Sequence, residues 1–180
     1  MRKLRNEELQ RLSPDEFQKA EKTPVILVLD NVRSLNNIGS IFRTADAFLV
    51  EAIYLCGITA CPPHKDIQKT ALGATETVRW KYFPSVLESI KSLNSDGYHI
   101  FSIEQSENSI PLDELELPGN KYAFIFGNEV EGVQQEAVNA SKGCIEVPQY
   151  GSKHSLNIAV CAGIVVWQVF QLIKGISSQD

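Results

Sequence analysis

The fold is decided by one stretch of the sequence, Val25-Ile-Leu-Val-Leu-Asp-Asn-Val-Arg-Ser-Leu-Asn-Asn-Ile-Gly-Ser-Ile-Phe-Arg-Thr-Ala-Asp46. Its first five residues are an unbroken aliphatic run, which is typical of a β-strand covered on both faces. After a polar loop, Ile41, Ala45 and Phe48 recur at helical spacing and predict an amphipathic helix. Asn37 stands directly before that helix and is its predicted N-cap. A buried strand followed at once by a helix indicates an α/β protein.

The same alternation of strands and helices continues along the chain. Apolar runs predict strands at 53–55, 98–103, 122–126 and 144–147, and helical periodicity predicts helices at 84–93, 134–140 and 156–174. Near the N-terminus, Ser13-Pro-Asp-Glu16 has the pattern of a capping box and predicts a short helix ending at about Ala20. The acidic segment 112–120 is predicted to be a loop. Together these elements predict a mostly parallel sheet with helices on both faces.

The length and composition fit a single domain. The chain has 180 residues, of which 43% are hydrophobic and 22% charged, so it belongs with globular rather than disordered proteins. We expect an N-terminal basic arm with a short helix over 1–22 and one domain over 23–180. The net charge of −5 argues against non-specific coating of nucleic acid, since phosphate contacts supply most of that affinity. A nucleic-acid site must then be a local patch. The arm offers either such a patch or a solvated, frayed terminus, and its basic residues are Arg2, Lys3, Arg5 and Arg11.

The sequence predicts a cytoplasmic location without a membrane segment. The first eight residues lack the apolar region that a secretory signal needs. The longest apolar run, 158–167, is shorter than the roughly 20 residues that span a bilayer. That run is apolar on all sides of its predicted helix, so the helix must be covered on more than its inner face. A homodimer interface would cover the outer face.

The four cysteines are expected to be reduced thiols in the core. No pair has the C-x-x-C spacing, and disulfides are rare in the cytosol. Cys56, Cys61 and His64 come nearest to a metal-binding pattern, but their spacing matches no common zinc template. No metal site is therefore predicted.

Three loops beside predicted strands carry unusual residues, at the edge where open α/β sheets place their ligands. They lie at 31–46, 127–132 and 148–157. The second lacks both the dinucleotide fingerprint and the P-loop pattern, which argues against a nucleotide hydrolase. Its glycines would let the backbone approach a ligand closely, or would simply form a tight turn.

Residues in the other two loops also have ordinary structural explanations. An arginine such as Arg43, near the start of a helix, is usually a surface charge. Ser155 and Asn157 stand at the start of the last predicted helix and could serve as its caps. Taken singly, these residues favour a structural role over a functional one.

Taken together, the three loops resemble the signature of the TrmH (SpoU) branch of the SPOUT superfamily of RNA 2′-O-ribose methyltransferases. The first motif reads Asn37-Ile-Gly-Ser-Ile-x-Arg43-Thr-Ala45, the second Gly127-x-Glu129-x-x-Gly132, and the third Pro148-x-x-Gly151-x-x-x-Ser155-Leu-Asn157. Their order and spacing match along nearly the whole chain, from about Pro24 to Lys174. Asn128 departs from the serine or alanine that is common in the family, which we expect to affect only loop packing.

The resemblance implies a fold, a cofactor and a set of site residues. The fold would be α/β with a C-terminal trefoil knot, although true knots are nearly absent among folds in general. The cofactor would be S-adenosyl-L-methionine, released as S-adenosylhomocysteine, and no metal would be required. Its binding residues would be Gly127, Asn128, Gly132, Ile145, Pro148, Ser155 and Leu156. The catalytic residues would be Arg43, Asn37, Glu129, Ser155 and Asn157. The protein would be an obligate homodimer whose active site takes the first motif from the partner chain.

Two roles are open for Arg43. The family's proposed base is the matching arginine, although a guanidinium normally stays protonated. A nearby sulfonium cation would favour the neutral form by like-charge repulsion. Alternatively, Arg43 could bind a substrate phosphate in bidentate fashion and leave proton removal to another group or to water.

The predicted function is methylation of a ribose 2′-hydroxyl in tRNA or rRNA. A mild preference for tRNA follows from the absence of an appended rRNA-binding module, but the segment 176–180 also lacks the basic extension of members that grip whole tRNA. One alternative is a catalytically silent RNA-binding or assembly protein that keeps the knotted fold. Another is methylation of a substrate other than RNA, which the acidic composition permits and the first motif disfavours.

Overall fold

Seven parallel strands form one central sheet in a computed structural model that describes residues 1–175. The strands are β1 (Thr23–Asp30), β2 (Val50–Cys56), β3 (Arg79–Phe83), β4 (His99–Ile103), β5 (Ile110–Pro111), β6 (Tyr122–Phe126) and β7 (Gly143–Glu146). Their order across the sheet is β3-β2-β1-β6-β4-β7-β5, and every adjacent pair is parallel. This sheet confirms the predicted α/β class.

Most of the helices lie in the connections between the strands, whereas α1 precedes β1 and α7 follows β7. They are α1 (Pro14–Lys19), α2 (Leu35–Ala47), α3 (Lys65–Ala71), α4 (Ala74–Thr77), α5 (Val86–Ser95), α6 (Gln135–Ala140) and α7 (Ile158–Lys174). Two short 3-10 turns cover Asn6–Leu9 and Leu112–Glu114. The predicted capping box of α1 is present, because the Ser13 hydroxyl accepts a hydrogen bond from the Glu16 amide and the Glu16 side chain accepts one from the Ser13 amide.

Helices cover both faces of the sheet, as the unbroken aliphatic run of β1 predicted. Side chains at alternate positions of β1 enter two separate cores, with Leu27 and Leu29 in one and Ile26 and Val28 in the other. The first core is completed by α2, α3 and α7, and the second by α5 and α6. Since successive strand residues point to opposite faces, only a strand buried on both sides can place five apolar residues in a row.

The start of α2 differs from the prediction. The N-cap is Ser34, whose hydroxyl accepts a hydrogen bond from the Asn37 amide at 3.3 Å. Asn37 therefore lies within the first turn of α2 and is not the cap. Because a serine hydroxyl three residues earlier satisfies the backbone, the Asn37 side chain is left to make other contacts.

Several elements were not predicted. Strand β3 is an exposed edge strand with aromatic and basic residues, so it lacks the aliphatic run that marks a buried strand. Helices α3 and α4, and the two-residue strand β5, are too short to show clear periodicity. The segment 112–120, predicted to be merely a loop, begins with a 3-10 turn and buries Leu112 and Leu115.

Helix α7 packs one face on the sheet and leaves the other uncovered in the single chain. Ala162 and Val165 are fully buried, whereas Val160, Ile164 and Trp167 are 52%, 39% and 51% exposed. The exposed residues recur every three to four positions and so form one stripe. The C-terminal residues 176–180, which lack basic side chains, lie outside the described part of the chain.

Cysteine burial follows the prediction in part. Cys56 and Cys144 are buried, while Cys61 and Cys161 are half-buried, and all four are free thiols. His64 serves as the N-cap of α3, with its Nδ1 accepting a hydrogen bond from the Asp66 amide. Within residues 1–175, no helix is long and apolar enough to cross a membrane.

Candidate active site

A cavity of about 770 Å³ opens at the carboxyl ends of β4, β6 and β7. This is the edge of a parallel sheet at which ligands usually bind, and the volume is within the range of small-molecule sites. Three segments form most of its wall: the residues after β4, the loop 127–134 between β6 and α6, and the end of the loop before α7. We call residues 127–134 the second-motif loop and residues 148–157 the third-motif loop.

Glycine and asparagine shape the second-motif loop from within. A Cβ atom on Gly127 would lie 1.9 Å from the carbonyl carbon of Gly132 and 2.1 Å from the amide nitrogen of Val133. Gly132 has a φ of +70°, which favours glycine. Asn128 is buried, and its side-chain oxygen accepts hydrogen bonds from the amides of Val130 and Glu131. The two glycines therefore allow the loop to close on itself, and Asn128 organises its turn.

The three motifs meet at Asn37. Its side-chain nitrogen donates to Glu129 Oε1 at 2.9 Å, and its side-chain oxygen accepts from Asn157 Nδ2 at 3.1 Å. Because a carboxylate only accepts hydrogen bonds, the bond to Glu129 fixes which end of the Asn37 amide faces Asn157. Asn157 is also the N-cap of α7, since its side-chain oxygen accepts from the amides of Ala159 and Val160. Asn157 therefore caps the helix, as its position predicted, and also contacts the first motif.

The third-motif loop supplies part of the wall through residues 154–157. Ser155 and Leu156 line the cavity, and Gln105 Nε2 donates to the His154 carbonyl oxygen at 2.8 Å. Ile145 and Pro148, which were predicted to hold the cofactor, are not among the lining residues. Ile145 is fully buried, and its carbonyl oxygen accepts a hydrogen bond from the Glu104 amide.

Arg43 is not at this cavity. It lies on the exposed side of α2, in a separate shallow cleft on the surface. The cleft is lined by Ser40, Arg43, Thr44, Ala47, Phe48, Lys69 and Thr70. Within one chain, therefore, the first motif is divided: Asn37 contacts the second and third motifs, and Arg43 does not.

The cavity wall is acidic, a feature that the motifs did not predict in full. Four carboxylates line it, and its lining residues include no lysine or arginine. The four are Glu104, Glu129, Glu131 and Glu146. Cys161 also lines the wall, and burial raises the pKa of this thiol to about 11, so it stays neutral. Such a wall favours a ligand of net positive charge and repels phosphate groups.

Comparison with known proteins identifies related chains along most of the sequence. A 23S rRNA (guanosine-2'-O-)-methyltransferase, RlmB, from Neisseria meningitidis serogroup B is 28% identical over 152 residues, which are 84% of this chain and 60% of the relative. A tRNA (guanosine(18)-2'-O)-methyltransferase from Thermus thermophilus is 26% identical over 161 residues, 89% of this chain and 81% of the relative. The chain therefore spans about 60% of the length of the first relative.

A solved structure has the same fold. The AdoMet-bound rRNA methyltransferase from Sinorhizobium meliloti superposes with a TM-score of 0.77 at 24% identity, covering 89% of this chain and 60% of that one. The model of the SpoU rRNA Methylase family matches residues 24–167, which contain all three motifs. The chain is thus a member of the SpoU rRNA methylase family.

Proposed function

We propose that this protein transfers a methyl group from S-adenosyl-L-methionine to a ribose 2′-hydroxyl in tRNA or rRNA. The observation that carries the proposal is the convergence of the three motifs through Asn37, Glu129 and Asn157 beside one cavity. The two relatives described above are named as methyltransferases that modify this position of guanosine, one in 23S rRNA and one in tRNA. We place the reaction in the cytoplasm.

The chemistry of the cavity fits this cofactor. S-adenosylmethionine has a sulfonium and an ammonium group against one carboxylate, and so has a net positive charge that suits the acidic wall. Of the predicted cofactor residues, those that line the cavity are Gly127, Asn128, Gly132, Ser155 and Leu156. When bound, the cofactor supplies an electrophilic methyl group. The chain has then mainly to align the ribose hydroxyl and help remove its proton.

Asn37 and Glu129 are placed to orient the ribose. One carboxylate oxygen of Glu129 accepts the hydrogen bond from Asn37, and we assign the other to a hydroxyl of the substrate. Asn157 holds the opposite end of the Asn37 amide while it caps α7. The orientation of the Glu129 carboxylate is therefore set, through Asn37, by the residue that caps α7. This reduces the reorganisation of the site that is needed when the ribose binds.

We assign Arg43 to the RNA backbone. The acidic cavity wall would repel phosphate groups, so cations that bind them must lie elsewhere. Arg43 shares its cleft with Lys69 and with the hydroxyl-bearing residues Ser40 and Thr44. An exposed guanidinium suits bidentate recognition of a phosphate, and the neighbouring Lys69 is ion-paired with Asp66 at 2.6 Å. Of the two roles for Arg43, the arrangement favours the phosphate contact over the base.

A homodimer would bring Arg43 of one chain to the edge of the partner's cavity, outside its acidic wall. The exposed stripe on α7, formed by Val160, Ile164 and Trp167, is an apolar surface that the single chain leaves open, and it suits an interface with a second copy. Helix α2 packs on α7 within the chain, and Phe48 contacts the Trp167 ring. A partner that docks on α7 would therefore approach α2 as well. In this arrangement Asn37 serves its own chain's site and Arg43 serves the partner's.

The trefoil knot belongs to the same proposal. The third-motif loop lies against the segment after β4, where Gln105 donates to the His154 carbonyl oxygen. It also reaches the start of α2 through the bond between Asn157 and Asn37. We assign the knot crossing to this loop, because it leads from β7 near one edge of the sheet back to a helix on the face of α2.

The test is methylation of unmodified bulk tRNA and rRNA with tritiated S-adenosylmethionine, followed by digestion to nucleosides. We expect label in 2′-O-methylated nucleosides with the native protein and a loss of most label with Arg43→Ala. Arg33→Ala is the matched control, because Arg33 is also an exposed arginine, just before α2, but lines neither the cavity nor the cleft. Cofactor binding in calorimetry without label on either RNA would contradict the proposal and indicate a silent binding protein.

Mixing two inactive variants tests the division of the first motif between chains. If the Asn37→Ala and Arg43→Ala chains reassort into mixed dimers, one of the two sites in each mixed dimer has both native side chains. At equal amounts we expect recovery of at most about a quarter of native activity, since random mixing makes half the dimers mixed. If both side chains acted in the same chain's site, mixing would restore nothing.

A further inference from the structure

We propose that Asp30 is a positioning residue that holds the second-motif loop against the cavity. Asp30 ends β1, and its side chain is completely buried. Its Oδ1 accepts a hydrogen bond from Gln134 Nε2 at 2.6 Å, and its Oδ2 accepts one from the Gln134 backbone amide at 3.1 Å. Gln134 is the last residue of the loop and the N-cap of α6. One carboxylate thus binds both polar donors of the residue at which the loop ends.

The buried carboxylate needs a specific explanation, because removing a charge from water is costly unless donors compensate. Within residues 1–175, no lysine, arginine or histidine forms an ion pair with Asp30. Its donors are instead the two groups of Gln134 and the side-chain nitrogen of Asn31, at 2.9 Å. Hydrogen bonds to an ionised acceptor are shorter and stronger than neutral ones. The main partner of the Asp30 carboxylate is therefore Gln134, which it holds by two hydrogen bonds, and not a positively charged side chain.

The loop depends on this attachment. Its first residue, Gly127, continues directly from β6. Its last two residues donate hydrogen bonds to two carboxylates that lie outside the loop. The Val133 amide donates to Glu104 Oε2 at 3.0 Å, and Gln134 donates to Asp30. Between these ends, Glu129 is exposed and touches the rest of the protein through Asn37. The geometry at Asn37 and Glu129 is thus set largely by how the end of the loop is fixed.

Asp30 also belongs to the segment that carries the first motif. Its neighbour Asn31 has a φ of +54°, and the Asn31 side-chain oxygen accepts a hydrogen bond from the Ile58 amide at 3.0 Å. The chain then leads within a few residues to Ser34 and the first turn of α2. Asp30 therefore joins the segment that leads into the first motif to the end of the second-motif loop. It acts through these neighbours and touches no reacting group.

Exchanging the two partners tests the attachment. In Asp30→Asn, one acceptor oxygen remains for donors that reach both carboxylate oxygens, so the new amide nitrogen opposes a nitrogen of Gln134, either its backbone amide or its side chain. In Gln134→Glu, two carboxylates oppose each other. The double variant places a donor on residue 30 and an acceptor on residue 134, which restores a complementary pair. Gln134 is exposed, so Gln134→Glu is expected to stay folded even where the buried change at Asp30 does not.

Two measurements are made on each variant. The first is the dissociation constant for S-adenosylhomocysteine by calorimetry, and this readout depends on the proposed function. The second is amide hydrogen exchange across 127–134, which needs no ligand. We expect each single variant to bind about tenfold more weakly, the loss of roughly one charge-assisted hydrogen bond, and its loop amides to exchange faster. The double variant should recover part of both, because the Asn31 side-chain nitrogen still faces the new amide nitrogen.

Asp46→Asn is the matched control. The Asp46 carboxylate accepts a hydrogen bond from the Thr77 hydroxyl at 2.5 Å, far along the chain from the second-motif loop. This variant should leave both readouts unchanged. The inference is overturned if the single variants leave loop exchange at the native rate, or if the double variant is as impaired as the two single changes combined. If the native protein does not bind S-adenosylhomocysteine, that result counts against the proposed function. The role of Asp30 is then decided by the rate of amide hydrogen exchange in the second-motif loop.

Discussion

Replacing Gly39 with alanine tests whether this glycine of the first motif is required by packing between helices. Gly39 lies in α2, and an added Cβ would be 2.2 Å from the Ile67 carbonyl oxygen and 2.1 Å from the Thr70 hydroxyl. Alanine in a helix interior favours folding by about 1 kcal/mol over glycine. Forcing a methyl group against backbone costs about 3 kcal/mol, the upper part of the usual range for overpacking. We therefore expect Gly39→Ala to lower the free energy of unfolding by about 2 kcal/mol.

Gly163→Ala is the matched variant. Gly163 also lies in a helix, α7, but an added Cβ meets no atom of the chain within 4 Å. It should raise the free energy of unfolding of the single chain by about 1 kcal/mol, because within that chain only the helix propensity changes. Urea denaturation at one protomer concentration measures the free energy of unfolding of both variants. The midpoint of thermal unfolding should fall by roughly 4–8 °C for Gly39→Ala and rise by roughly 2–4 °C for Gly163→Ala. A Gly39→Ala protein at least as stable as the native one would refute the packing argument.

Three further outcomes are expected. Asn37→Ala should lower kcat/KM by about 100-fold, because Glu129 loses the hydrogen bond that orients it, while the midpoint of thermal unfolding changes little. An unchanged kcat/KM would show that Asn37 does not act in the site. Cys56 should react with iodoacetamide at pH 8 more slowly than Cys61, because burial raises the Cys56 pKa to about 12 and only the thiolate reacts. Mass spectrometry of the labelled peptides measures both rates, and faster labelling of Cys56 would contradict this expectation. Ile164→Asp should shift a dimer to monomers in sedimentation, and a dimer of native strength would rule out the α7 stripe as the interface.

The fold was predictable wherever burial imposed a pattern on the sequence. Strand β6 was predicted at its observed bounds, because five apolar residues in a row are required of a central strand. Strand β3 could not be found in this way, since an edge strand exposes most of its side chains. The start of α2 was misplaced because Asn37 and Ser34 both suit an N-cap, and only the backbone path decides between them.

For the candidate site, the sequence predicted that the three motifs would meet, but not how their residues are arranged. The three motifs contain Asn37, Glu129 and Asn157, and these do meet. Their spacing gave no sign that Arg43 would lie apart, because residues less than two turns apart on a helix can point to different sides. The contributions of Asp30 and Glu104 were also not predicted. Both follow or end strands, and their bonds to the second-motif loop depend on which strands are neighbours.

The strand order has a consequence for synthesis of the chain on the ribosome. Strand β1 has β2 on one side and β6 on the other, yet β6 is made from residues 122–126, long after β1 and β2. Until those residues emerge, one side of β1 presents unpaired amides and carbonyls, and the two cores lack Phe124 and Ile125. Pairing strands so distant in sequence is slow, and an open apolar strand is prone to aggregation. The nascent chain is therefore expected to need protection, by the ribosome surface or a chaperone, until β6 has been translated.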